Sequence, residues 1–416
     1  MKHALQGAPW LSAMARVFDR AGAELYIVGG AVRNPLLGLP LSDVDVCGPA
    51  LVNEVCALCE GTEVEAVVRA AAFGTVELYV TDENGERQMA EYTTWREDCY
   101  GSGHKPDQVR FTKDIRVDAR RRDFSINALY QRVHDGWLEE VLDPTLFGLS
   151  HLKDGVVYTT TADPDHILGN DGQRILRAVR FKAEMGFRLT PNMMDSLSRN
   201  AGLVRELTAE RIASEVKKIL MADLRYPMLH RRHPSTANGL NTLRKIGVWA
   251  DVFGSLPFDP QALQAMEKLG GTLPERAALL CRHAPDAEEA LRRIGLREDD
   301  RTQALAILQA LASGGDLLTL ARAGLNALSS ALRILHALGE NADRLQAAQQ
   351  QLSGKPLSLK ELAVNGNDLW PILSAQGREK RELGRTLTHL WQLVLEGKVQ
   401  NRQEELLEAA KQGFCR

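Results

Sequence analysis

The chain has 416 residues, 44% hydrophobic and 25% charged, with a formal net charge of −3. That is the composition of a soluble globular protein of roughly two to four domains. It excludes a polycationic nucleic-acid binder, so any nucleic-acid site must be a local basic surface. No run of about eighteen apolar residues occurs, so no membrane span is expected. The opening MKHALQGAPWLSAMARVF is amphipathic and lacks the apolar core of a signal peptide. The six cysteines are scattered, which points to a reducing cytoplasm rather than a disulfide framework.

Leu11–Ala21 reads as a helix. Leu25–Val28 is a short apolar run, the pattern of a buried strand. Gly29-Gly30 end it and lead into a helix-like stretch carrying Arg33. After a turn at Gly38–Pro40, Asp43-Val44-Asp45 is expected to enter a second strand, with both carboxylates on one face and Val44 toward the core. Adjacent carboxylates repel unless a cation lies between them, and Mg²⁺ takes one or two carboxylates together with phosphate oxygens. The glycines let a phosphate approach the backbone, and Arg33 can neutralise it. A bare D-x-D is most often a pair of surface carboxylates. Joined to VGGAVR and LLG at this spacing, it resembles the first motif of the class II tRNA nucleotidyltransferase and poly(A) polymerase family, within the polymerase-β-like superfamily. That family usually has Asp where Asn34 stands, followed here by Pro35. Both are read as changes at a helix start, away from the metal.

Val52–Cys59 reads as a helix, in which Cys56 and Cys59 are buried thiols rather than zinc ligands. Glu63–Val80 alternates as two strands and Gln88–Trp95 as another, in which Glu91 is either a third carboxylate of the site or an exposed strand residue. Glu97–Gln108 has no apolar periodicity and reads as a mobile loop. In the family, a flexible loop at this place helps add the terminal A after two C residues, which leans away from a CC-only enzyme; His104-Lys105 stands where Arg-His is common. Arg121-Arg122-Asp123-Phe124 and Ser125-Ile126-Asn127-Ala128-Leu129 resemble the second motif, with Ser125 for the usual Thr. As charges alone, Arg120–Arg122 fit a solvated basic patch equally well, but Phe124, Ile126 and Leu129 bracket Asn127 and mark a folded segment. The resemblance implies that Arg122 meets the triphosphate and that Asp123 and Asn127 meet the sugar. Asp143-Pro144, Gly148 and Leu152–Gly155 resemble the third motif, a hinge, and are turn-formers with no chemistry assigned.

Asp165–Leu189 carries Ile175, Leu176, Val179 and Ala183 at helical spacing as a buried stripe. Asp171, Arg174, Arg177 and Arg180 recur every third residue on the other side, a row that drifts around the helix by roughly 60° per step. The plain reading is an arginine-rich solvated face. The resemblance implies a protein template: Asp171 accepts from an exocyclic amino group and Arg174 donates to a ring acceptor, a pattern met by cytosine and adenine but not by uracil or guanine. Arg177 and Arg180 would hold phosphates or brace the pair. The family usually has Glu where Asn170 stands and Pro where Gly172 stands, and that Glu helps to position the arginine.

From Pro191 onward the pattern is helical. Glu210-Arg211 with Glu215 resembles a fifth, neck-helix motif. Leu357–Leu373, Gly384 and Leu395–Lys411 resemble the tail of the bacterial CCA-adding branch, with Asn365-Gly366 and Asn401 as turn and cap residues. Arg282-His283-Ala284 offers no adjacent His-Asp pair for a phosphohydrolase. The fold class implied is α+β: a polymerase-β-like nucleotidyltransferase head with a small mixed β-sheet, residues 1–147, then an all-α neck (148–223), body (224–315) and tail (316–416). The implied activity is CCA addition to the tRNA 3′ end from CTP and ATP, without a nucleic-acid template. Asp43 and Asp45 would be catalytic and hold Mg²⁺, and Gly29, Gly30, Arg33, Arg122, Asp123, Asn127, Asp171, Arg174, Arg177 and Arg180 would bind nucleotide. The rivals are a poly(A) polymerase, a CC-only or A-only enzyme, and a tRNA-binding protein with a decayed site.

Overall fold

The computed structural model describes residues 3–4, 8–41, 43–100 and 108–412. They form two compact units, residues 1–252 and 253–416. The first is built on an eight-stranded sheet of β1 (His3–Ala4), β2 (Leu25–Val28), β3 (Asp45–Gly48), β4 (Glu65–Ala70), β5 (Thr75–Thr81), β6 (Arg87–Thr94), β9 (Tyr130–His134) and β10 (Trp137–Leu142), in the order β1-β10-β9-β2-β3-β6-β5-β4. All four residues of β2 are buried, as its unbroken apolar run requires. It pairs antiparallel with β9 and β3, whereas β3 and β6 are parallel. A parallel pair needs a crossover, supplied by α3 (Val52–Cys59) with β4 and β5.

The loop expected over Glu97–Gln108 is in part a hairpin: β7 (Arg96–Cys99) pairs antiparallel with β8 (Gln108–Phe111). β8 alternates polar and apolar residues, but β7 (Arg96-Glu97-Asp98-Cys99) does not: it is held through ion pairs, Arg96 to Asp98 at 2.8 Å and Asp98 to Arg121 at 3.5 Å. The remainder of that expectation, including His104 and Lys105, lies outside the described residues.

Asp165–Leu189 is not one helix. It contains α6 (Asp165–Leu168) and α7 (Gly172–Met185), with Asp171 as the N-cap of α7, its carboxylate accepting from the Gln173 amide at 2.9 Å. Gly172 explains its own identity: a Cβ there would lie 2.4 Å from the Leu203 carbonyl oxygen. Ile175, Leu176, Val179 and Ala183 are fully buried. Helices α9 (Ala209–Leu220) and α11 (Thr236–Lys245) pack against α7, so its second side is also covered.

The second unit is helical, from Pro260–Leu269 to Gln403–Gln412 among the described residues. Leu328, Leu352, Leu369 and Leu406 centre its C-terminal core, and Trp391 donates to the Pro356 carbonyl at 2.7 Å. Asn365 caps the helix Gly366–Ala375. Asn401 is a bridge rather than a helix cap: it accepts from the Ala363 amide at 2.8 Å and donates to the Glu361 carbonyl at 2.9 Å. No helix among the described residues is long and apolar enough to cross a membrane.

Candidate active site

Strand β3 begins at Asp45, so Asp43 precedes the strand instead of lying within it. The alternation still holds, with Asp43 and Asp45 exposed on either side of buried Val44. Register places Glu91 of β6 directly beside Asp45, on the same face. Although both side chains reach the surface, the protein around them displaces water: this, opposed by Arg122 and reinforced by Asp43, pushes the Asp45 carboxyl up, and the same desolvation with Asp45 pushes Glu91 up. Among the described residues none of the three carboxylates makes a side-chain hydrogen bond or ion pair, and no group of three His, Cys, Asp or Glu side chains closes into a cage. Carboxylates set side by side, with no cation in ion-pair contact among the described residues, fit a hard divalent ion whose remaining ligands come from substrate phosphates.

Gly29 has φ +68° and caps α2 (Gly30–Leu36), a backbone state that L side chains rarely adopt. Arg33 is buried, its guanidinium over the Phe181 ring at 5.0 Å, and burial draws its pKa down to about 10. It donates through Nη2 to Asn34 Oδ1 at 2.8 Å and through Nη1 to Asn127 Oδ1. Asn34 is therefore the fully buried partner of a site arginine, not a change set apart at a helix start. Asn127 donates to Asp123 at 3.1 Å, and Arg177 donates to the other oxygen of Asp123 at 2.7 Å. Burial would raise the Asp123 pKa, but Arg177 and Asn127 outweigh it and hold it at about 2. One hydrogen-bonded chain thus runs from the first motif, through the second, to α7.

Arg122 follows α4 (Ile115–Arg121). It binds Asp118 at 3.0 Å and the Tyr130 hydroxyl at 2.8 Å, while Tyr130 donates to Asp118 at 2.6 Å. Burial opposes the Asp118 charge, yet Arg122 and Arg121 hold its pKa at about 2. On α7 the arginine row is not a solvated face: Arg174 and Arg180 are buried and Arg177 is half-buried. Arg180 lies between Glu215 at 2.6 Å and Glu184 at 2.8 Å, both buried, which makes it a brace. Asp171 is held by Arg211 at 2.9 Å. Arg174 differs, donating to the carbonyls of Ile167 at 2.9 Å and Arg121 at 2.8 Å and to the Tyr100 hydroxyl at 3.1 Å. Asn170 turns away and donates to the His166 carbonyl at 2.8 Å. Arg174, Asn170 and Tyr100 line a cavity of about 570 Å³.

Asp118, Arg211 and Glu215 carry supporting roles that the motifs did not assign. For Asp118 the signal was helical spacing, one turn before Arg121 and Arg122; Arg211 and Glu215 had none, because their partners Asp171 and Arg180 are distant in the chain. Tyr100 had no local signal, because its partner is distant in the chain.

Residues 25–158 match a family model described as the poly A polymerase head domain. Residues 186–231 match one named for an RNA and SrmB-binding site of polymerase A, and residues 278–410 one named for domain 2 of tRNA nucleotidyltransferase. The chain is 31% identical to the CCA-adding enzyme of Geobacillus thermodenitrificans, over 94% of this chain and 93% of that protein. It is 30% identical to the CCA-adding enzyme of Limosilactobacillus fermentum, over 94% of both. Its fold matches the crystal structure of the Bacillus stearothermophilus CCA-adding enzyme in complex with CTP, with a TM-score of 0.76 and 26% identity, over 98% of this chain and 97% of that one.

Proposed function

The chain belongs to the family of CCA-adding enzymes, and from that premise we propose how its own residues carry the reaction. It is a nucleotidyltransferase that adds C, C and A to the tRNA 3′ end from CTP and ATP. The observation that carries the residue assignment is the chain Asn34–Arg33–Asn127–Asp123–Arg177, which ties helix α2, next to the glycine pair, through the Arg122–Asn127 segment to the helix bearing Asp171 and Arg174. Asp43 and Asp45, with Glu91 beside them, hold divalent metal, and we assign it as Mg²⁺. When bound, the ion supplies a Lewis acid at the phosphates and a more acidic 3′-hydroxyl. Gly29 and Gly30 open the backbone to the triphosphate. Arg33 and Arg122 carry the positive charge that faces it, and charge placed in advance of the reaction provides most of the rate. Asp123 and Asn127 orient the sugar. Asp171 and Arg174 present an acceptor and a donor to the base edge, the pattern that admits cytosine and adenine. Arg177 fixes Asp123, and Arg180 fixes α7 so that this pair keeps its place.

We assign residues 1–147 to a catalytic head, 148–223 to a neck that selects the base, 224–315 to a body and 316–416 to a tail that grips tRNA, and we place the protein in the cytoplasm. The poly(A) polymerase reading draws on residues 25–158 and 186–231, while residues 278–410 match a tRNA nucleotidyltransferase domain and the near full-length relatives are CCA-adding enzymes.

Two measurements test the assignment. Transcripts ending before CCA, after C and after CC, each given CTP, ATP or both, are expected to stop at the complete CCA end. Long A tails, or extension of only one substrate, would place the chain in another branch. Asp43→Ala is expected to abolish incorporation while tRNA affinity, read by filter binding, stays within about twofold. Surviving activity would remove Asp43 from the metal site.

A further inference from the structure

Several buried or half-buried guanidinium groups surround the site, and they divide by what holds them. Arg122, Arg177, Arg180 and Arg211 each contact a carboxylate, at 3.0, 2.7, 2.6 and 2.9 Å respectively. Arg174, equally enclosed, makes no ion pair among the described residues; its partners are two backbone carbonyls and the Tyr100 hydroxyl. Neutral acceptors fix a guanidinium in direction without cancelling its charge, so its attraction for an incoming acceptor is kept. The carbonyls of Ile167 and Arg121 are part of the backbone. Tyr100 is the only side chain among the three partners and stands at the end of β7, which is anchored by Arg96–Asp98 and Asp98–Arg121. Its ring also faces the Arg174 guanidinium, 5.7 Å from centroid to Cζ. Asn170, nearer in sequence and on the same cavity, spends its amide on the His166 carbonyl and leaves Arg174 alone.

We infer that Tyr100 is a positioning residue for base selection: its hydroxyl orients the Arg174 guanidinium toward the base while leaving it fully charged. The inference rests on the base-reading role proposed above for Arg174. A hydroxyl that accepts from Arg174 still has a proton to donate, and the shared cavity gives that proton a direction.

The test is a double-mutant cycle in the full chain, with Tyr100→Phe and Arg174→Ala alone and combined. Each is assayed for CTP and UTP incorporation onto a tRNA transcript lacking CCA, with a thermal melt alongside. Tyr100→Phe is expected to raise the KM for CTP and to lower the CTP-over-UTP preference by about tenfold, the lower end for a hydrogen bond from a charged donor, with kcat within about twofold. Combined with Arg174→Ala it should add nothing. Tyr100→Phe keeps the ring and removes only the hydroxyl, and kinetics taken below the onset of its melting transition keep the comparison readable even if the variant melts early. An unchanged preference in Tyr100→Phe, or a further fall on combination, overturns the inference. An unchanged preference in Arg174→Ala overturns the base-reading role itself, and the role of Tyr100 with it.

Discussion

Arg174 and Arg180 lie on one helix, carry the same group and are similarly enclosed, yet their removal should have opposite consequences. Arg180→Ala strands Glu184 and Glu215, buried carboxylates left without a cation, and losses of about 3–5 kcal/mol follow from breaking such pairs. The melting temperature should fall by many degrees, and activity should fail with it. Arg174→Ala leaves two carbonyls and a phenol, all neutral, so it should melt closer to the parent while its preference for CTP over UTP collapses. Equal melting temperatures for the two variants would contradict this division. Arg33 belongs with Arg174, since two asparagine oxygens hold it and among the described residues no carboxylate is in ion-pair contact with it. Of the two arginines proposed to face the triphosphate, Arg33 is held by asparagine oxygens, whereas Arg122 also holds Asp118.

At the scale of elements, α4 and α7 are tied into the head by acids whose titration sets its acid limit. Asp118 and Asp123 are both held at about 2, below the usual carboxyl value, by Arg122 and Arg177 acting against burial. The unfolded chain therefore binds these protons first. The stability they contribute is complete above about pH 4 and is lost as the pH falls toward 2. Tyrosine and tryptophan fluorescence should report an acid transition in that window, and Asp118→Asn should flatten it; an unaltered profile would count against the linkage. The junction of α6 and α7 gives a second expectation. Gly172→Ala drives a Cβ into the Leu203 carbonyl and should lower stability by more than about 1 kcal/mol, read from chemical denaturation. These elements also mark where the sequence was legible. Apolar runs and periodicity located β2, α3, β5, β6 and the buried stripe of α7, because burial writes directly into local pattern. The break at Asp171 and the hairpin of β7 and β8 were missed, since a side-chain cap and distant ion pairs set them. The plain reading of the arginine row as a solvated face fails for a related reason: charges can be buried when their partners come from another helix, as Glu215 does for Arg180.

For the whole molecule, a net charge of −3 requires that tRNA be held by local basic surface. Affinity for a tRNA transcript should fall linearly on a log–log plot against salt, with a slope near −0.7 for each single-stranded phosphate neutralised. A flat plot would point to recognition dominated by stacking or base contacts. The parallel pairing of β3 with β6 has a consequence in time. Asp45 can meet Glu91 only after α3, β4 and β5, which lie between them in the chain, have been made, and Asp171 and Arg174 follow later still. Pairings this distant in sequence form late, because loop closure must precede the contact. A nascent chain would thus display its first carboxylates long before it could use them. In refolding, incorporation activity should lag behind the recovery of helical signal, so that no partly folded form spends nucleotide.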